Sequence, residues 1–181
     1  MRKSLIKTAV ALALAVALEL LCKPMRQLGI PLRVVQLVLG MLVVMIMTIT
    51  ALAVDLHGGL LLGAITPVVA YGVGLLPLRS HMWAMVACNM LLLLLLYHIA
   101  AKGGKTRRNI GWLAGVVGSY LLLCGILTVD SLLRPSVPEF AARLAPTLWK
   151  TMELRLIEFA ALLLGSGIGL WLAPVLRKNR I

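Results

Sequence analysis

Acidic residues are scarce in this chain: six of 181 are Asp or Glu, and charged residues of both signs make up 13%. A soluble domain carries about 25% charged residues, so a surface that faces water on all sides is excluded. Cysteines are few as well. Cys22, Cys88 and Cys124 lie in or at separate apolar runs with no CxxC spacing, which excludes a disulfide framework and a cysteine zinc site. HExxH, GxSxG and a Gly-rich phosphate loop are all missing, and there is no pair of aspartates within the apolar runs. The expectation is a chain with no catalytic residue, no metal and no other cofactor. Asp55 and His57 stand two residues apart, but two ligands make no metal site alone, and the triplet reads as a solvated turn.

What the chain does have is apolar length. Hydrophobic residues make up 61%, and the mean hydropathy is +1.02. A helix needs ~20 residues to cross a ~30 Å hydrocarbon core, so six crossings use ~120 residues and leave ~60 for connections. No separate soluble domain fits, and an ATP-hydrolysing module or a periplasmic receptor would have to be another polypeptide. The net charge of +12 would suggest nucleic acid in another setting. Here the basic residues fall at the ends of apolar runs, where anionic lipid headgroups account for them.

Six runs are predicted to span: about 5–22, 34–54, 60–76, 82–101, 110–129 and 155–172, forming one all-α integral membrane domain over 1–181. The first follows Met1-Arg-Lys, but Glu19 and Leu20 occupy the place of a signal-peptide cleavage site, so it reads as a retained helix. The dense basic clusters Lys102–Arg108 and Arg177–Arg180 set the orientation, with both termini cytoplasmic in the cell membrane. Ten basic residues then lie inside and eight outside: Lys23, Arg26, Arg33, Arg79, Arg134, Arg143, Lys150 and Arg155. Against five acids outside, the outer face carries 8 − 5 = +3.

In that orientation the strong polar groups are biased outward. Glu19, Gln36, Tyr71, Arg79, His81, Thr128, Asp130, Arg155 and Glu158 fall in outer halves, and Asn89 near the middle of the fourth span. Ionisable groups in lipid cost several kcal/mol unless they face the bundle or water. The economical arrangement is a polar cavity open to one side, formed by spans 4 to 6 with the outer ends of 1 and 3. The candidate binding residues are Tyr71, Trp83, Asn89 and Glu158, with Trp149 over them and Arg33 and Arg79 at the mouth.

Each of these has a plainer reading. Glu19 snorkels, Arg155 and Glu158 pair on one helix face at i,i+3 spacing, Asn89 bonds another helix, and His81 forms an interfacial pair with Trp83. Residues 130–154 form the one long connection, with Phe140, Leu144, Leu148 and Met152 on one helical face. They make either an interfacial helix anchored by Trp149 or a lid over the cavity. The outer positive charge favours an anionic or zwitterionic ligand, or it serves only to meet phosphate headgroups.

The stretch Gly58-Gly-Leu-Leu-Leu-Leu-Gly63-Ala-Ile-Thr66-Pro67-Val-Val-Ala-Tyr71-Gly72-Val-Gly74-Leu-Leu-Pro77, followed by Met82-Trp83 and Cys88-Asn89, resembles helices 3 and 4 of S components, the substrate-binding subunits of energy-coupling factor (ECF) vitamin transporters. As a length and hydropathy plan the resemblance covers most of the chain, and as a residue pattern about 58–97. It implies a six-helix subunit that captures a vitamin-like small molecule outside the cell. It also implies a transmembrane coupling protein and ATPase subunits as partners. In that family, alanines at four-residue spacing on helix 1 dock the coupling protein, and Ala9, Ala13 and Ala17 supply that spacing, as do Ala11 and Ala15. The connection between the first two spans, about Lys23 to Arg33, is shorter than the site-closing loop often found there. A second reading from another class is a structural scaffold, similar to the rod-shape-determining MreD-like proteins, which needs no cavity.

Overall fold

A computed structural model describes residues 2–76, 78–100, 104–133 and 140–178, and every regular element among them is helical. Helix α1 runs over Arg2–Leu20, and after one turn residue a short α2 covers Cys22–Gln27. Gly29 then adopts φ +81°, donating to Arg26 O while Ile30 N donates to Met25 O, a Schellman ending that needs the left-handed backbone glycine tolerates. Pro31 cannot supply an N–H to a preceding turn, and helix α3 starts beyond it, Leu32–Ile49, continued by a π-helical turn at Thr50–Val54. Helix α4, Leu56–Gly72, opens on Asp55, whose side chain accepts from Gly58 N at 3.3 Å. It closes on a second Schellman ending at Gly74, φ +80°, with Gly74 N bonded to Tyr71 O and Leu75 N to Ala70 O.

Helix α5, Arg79–Leu95, passes into a π-helical turn at Leu96–Ala100. Helix α6 covers Lys105–Leu132, α7 Phe140–Leu154, and α8 Leu156–Lys178. Five of these stretches are long and apolar enough to cross a membrane, and α4 is a shorter apolar helix of 17 residues. The chain is therefore an all-α multi-pass membrane bundle. The predicted spans all have a helix, with shifted ends: α4 sits four residues earlier than expected, because Asp55 caps it. Helix α8 runs past the expected end at about 172, through Pro174, as far as Lys178. The part of the 130–154 connection at 134–139, with Arg134 and Glu139, and the basic residues Lys102 and Arg180 lie outside the described residues.

The helices close in the ring α1–α3–α8–α6–α5–α4, with α7 lying on α6. The α3–α8 contact is the most intimate. On α8, Ala161, Gly165, Gly169 and Ala173 recur every fourth residue, and all four are buried. A Cβ on Gly165 would stand 2.8 Å from Val44 Cβ and closer still to the carbonyl oxygen of Met41, so only glycine lets the two backbones approach this far. In lipid there is no hydrophobic drive between helices, and such close packing is what holds them together. Trp112 Nε1 donates to Ser166 Oγ at 2.9 Å and ties α6 to the same helix.

The outer faces stay apolar. Leu5, Val10, Leu14, Ile110, Leu113, Leu121, Leu164 and Trp171 are exposed, which water would penalise as one large patch and hydrocarbon does not. Leu144 and Leu148 on α7 are exposed too, so this part of its apolar stripe does not close over the bundle.

Gly165→Leu is expected to lower stability by about 1–3 kcal/mol through overpacking, whereas Leu164→Ala on the exposed face costs far less. Unfolding midpoints in a mild detergent measure both, and an unchanged midpoint in Gly165→Leu would mean that the α3–α8 contact is loose.

Candidate functional site

The site begins with a proline inside a helix. Pro67 has no N–H, so the carbonyl of Gly63, four residues earlier, loses its helical partner. In a membrane an orphaned carbonyl costs several kcal/mol unless another group bonds it. Asn89 on α5 does so: its Nδ2 donates to Gly63 O at 3.2 Å. Because a carbonyl only accepts, this bond sets which way the amide is turned and leaves Oδ1 as the atom still seeking a donor. Asn89 is 3% exposed, and its Oδ1 has no hydrogen-bond partner among the described residues.

Asn89 is one wall of a cavity of about 80 Å³. Its lining comes from one end-half of the bundle: Glu19 of α1, Gln36, Gly40, Val43 and Val44 of α3, Thr66, Pro67 and Ala70 of α4, and Met85 and Asn89 of α5. Leu75, Leu76 and four residues of α8 that include Glu158 complete it. Apolar side chains dominate, with a few polar atoms set among them, as in small-molecule pockets generally. Gln36 Nε2 donates to Leu75 O at 2.7 Å, holding the α4–α5 turn down as a cover. Cys22, Val35, Leu39, Ala70, Leu75, Leu76 and Met82 form an apolar cluster there.

Two carboxylates belong to this lining. Glu19 is 5% exposed, and its Oε2 has no partner among the described residues. Glu158 accepts from Arg155 Nη1 at 3.1 Å through Oε1, while its Oε2 is buried without a partner. His81, fully buried, brings Nε2 to 3.7 Å from Glu158 Oε1.

On the far side of Arg155 lies a second, larger cavity of about 460 Å³ between α6, α7 and the start of α5. Its polar lining is Asp130, Ser131, Arg143, Thr147, Lys150, Thr151 and Arg155, and Ser80 Oγ donates to Asp130 Oδ2 at 3.0 Å. The Arg155–Glu158 pair is thus the partition between a carboxylate-lined interior and a basic outer chamber.

Of the sequence-predicted site residues, the structure brings Asn89 and Glu158 to the cavity. Trp83 and Trp149 are 56% and 72% exposed, and Tyr71, Arg33 and Arg79 are exposed as well. None of these five lines the cavity. Trp83 and His81 are neighbours in sequence but point to opposite sides of α5, so they form no interfacial pair.

The expected lining from the fifth span is replaced by α3, because the small residues of α8 draw α3 into the centre. No described residue of 130–154 lines the inner cavity, since α7 rests on α6. Glu19, Gln36 and Thr66 were not among the chosen binding residues. The signal available for the first two was their position as lone polar groups near one end of their runs, and Thr66 offered none, because a mid-helix threonine bonds its own backbone, here Leu62 O. Of the two alanine ladders on α1, Ala9, Ala13 and Ala17 are exposed, while Ala15 is buried and Ala11 half-buried. Among the described residues no group of three or more His, Cys, Asp or Glu is placed to hold a metal ion.

A double-mutant cycle tests the Asn89–Gly63 bond. Pro67→Ala restores an N–H to the Gly63 carbonyl, so Asn89→Ala should cost about 1 kcal/mol less in that background than alone, within the range of interhelical hydrogen bonds in membranes. A coupling of zero in detergent unfolding would remove the bond from the account.

Comparison with known proteins finds no matching family model, no matching curated protein and no matching solved structure.

Proposed function

We propose that this chain is the membrane-embedded, substrate-binding subunit of an ECF-type transporter, an S component, capturing a vitamin or similar micronutrient outside the cell for ATP-driven uptake by a partner module. The observation that carries this reading is the cavity in one end-half of the bundle, where Glu19, Asn89 and Glu158 keep buried oxygens without protein partners among the described residues. Each such atom costs about 1–3 kcal/mol unless something bonds it, and a ligand that does so returns that energy as affinity. A scaffold protein has no use for such an expense. The chain performs no chemistry of its own in this reading.

The exposed alanines Ala9, Ala13 and Ala17 suit close approach by a helix of the coupling protein, and they lie on the face of α1 turned away from Ala15. The cavity end of the bundle carries Lys23, Arg26, Arg33, Arg79, Arg143, Lys150 and Arg155, and the other end carries Lys3, Lys7, Lys105, Arg107, Arg108, Arg177 and Lys178. The denser clusters at the second end support cytoplasmic termini and a cavity that fills from outside. A drug-sized pocket measures about 300–1,000 Å³, so a vitamin enters by parting the cover made of α2 and the 73–76 turn.

The decisive experiment is to purify the protein in mild detergent, denature it and identify released small molecules by mass spectrometry. One compound is expected to be enriched over a mock preparation, and to be lost from the Asn89→Ala, Glu158→Ala double variant. No enrichment, or equal enrichment in the variant, would overturn the reading.

The three native cysteines are buried, which makes a single introduced cysteine readable. Lys105→Cys is expected to resist an impermeant thiol reagent applied to intact cells and to react once the cells are opened. Labelling from outside would invert the topology.

A further inference from the structure

We infer that the inner cavity is built for a compact cation bearing N–H groups, a protonated amine or amidine, and not for an anion. This rests on the binding-subunit reading and specifies its ligand. Every donor atom on the cavity wall already gives a hydrogen bond to a backbone carbonyl: Gln36 Nε2 to Leu75 O, Thr66 Oγ1 to Leu62 O, and Asn89 Nδ2 to Gly63 O, with one further N–H left on each amide. The buried side-chain atoms of this wall that have no partner at all among the described residues are acceptors. Glu19 Oε2, Asn89 Oδ1 and Glu158 Oε2 are buried without partners among the described residues, and Glu19 and Asn89 are 5% and 3% exposed. A ligand that brings N–H groups satisfies three such acceptors directly.

Charge points the same way. Two carboxylates line the cavity and no Lys or Arg does. Glu158 is met by Arg155 at 3.1 Å, with His81 at 3.7 Å, whereas Glu19 has no basic side chain within ion-pair distance among the described residues. Lys23 and Arg26, the nearest bases in the chain, are exposed. A buried carboxylate without a counter-charge is expensive, and one positive charge in the cavity balances it. With about 80 Å³ available, the charged group is small and the rest of the ligand meets the apolar wall. The surplus of basic residues at this end of the chain is real, but Arg143, Lys150 and Arg155 line the outer chamber, and Arg33 and Arg79 face outward. They attract anions to the surface, not into the interior.

The test uses the full chain in lipid nanodiscs, with ethylammonium, tetramethylammonium, sodium and acetate as probes and heat unfolding as the readout. Ethylammonium is expected to raise the unfolding midpoint saturably. Tetramethylammonium, which carries the charge without N–H groups, sodium and acetate are not. Glu19→Gln keeps the shape and removes the uncompensated charge, so the empty variant is expected to unfold at the same or a higher temperature and to need about tenfold more ethylammonium or beyond, equivalent to about 1.4 kcal/mol. Stabilisation by acetate, an equal response to sodium or tetramethylammonium, an undiminished response in Glu19→Gln, or no response to ethylammonium would each overturn the inference. A co-purified acid lacking a basic nitrogen would overturn it while leaving the binding-subunit reading intact. No co-purified molecule at all would remove that reading itself.

Discussion

The interior depends on a missing N–H. Pro67 stands inside α4, in a helix that has no water to repair its ladder, and the Gly63 carbonyl it orphans has to be bonded from elsewhere. Asn89 is the residue that does it. The bond joins α4 to α5 at one depth, and Gly63, whose added Cβ would stand 3.2 Å from Asn89 Cβ, lets the two helices come close enough to make it. With Nδ2 turned to Gly63 O, the orientation of the amide is settled and Oδ1 is left over for the cavity. A structural repair thus leaves a binding group behind, and the structural and ligand-binding readings of Asn89 need not compete.

The bundle holds this polar interior open because its strongest apolar contact lies beside it. Helices α3 and α8 run parallel and meet through Ala161, Gly165, Gly169 and Ala173. Ala161 and Gly40 are both at that contact and both on the cavity wall. Small side chains bring the two backbones together and leave room at their cavity edge, where larger ones would fill it. The cover is also apolar, and it is closed by backbone geometry: Gly29 and Gly74 stop α2 and α4 with the same kind of turn. Gln36 then latches the second turn to α3.

Electrostatically the molecule is layered. Basic residues sit on the surface and, with Asp130, in the outer chamber, the carboxylates of Glu19 and Glu158 line the interior, and the Arg155–Glu158 pair stands between. Net charge therefore describes what the membrane surface meets and says little about what the cavity accepts. A long-range positive field and a local demand for donors coexist, because the field of exposed bases is screened within about 10 Å in salt while a buried acceptor acts over hydrogen-bond distance.

Hydropathy alone determined the class of the fold: the six apolar runs became six helices, since hydrocarbon forces a spanning backbone to satisfy itself. That Glu19, Gln36 and Glu158 lie toward one end of the bundle, with Asn89 near mid-span, was also legible, because depth along a span can be counted. Which way each of them turns around its helix was not. Trp83 and His81 are two residues apart in the chain, yet one ends on the exposed face and the other in the core. A helix that is apolar all round carries no stripe to say which face is buried. That choice was made by close packing, above all by the glycines of α8 drawing α3 inward and by the carbonyl that Pro67 left for Asn89. Both are contacts between residues far apart in sequence, and only the tertiary structure brings them together.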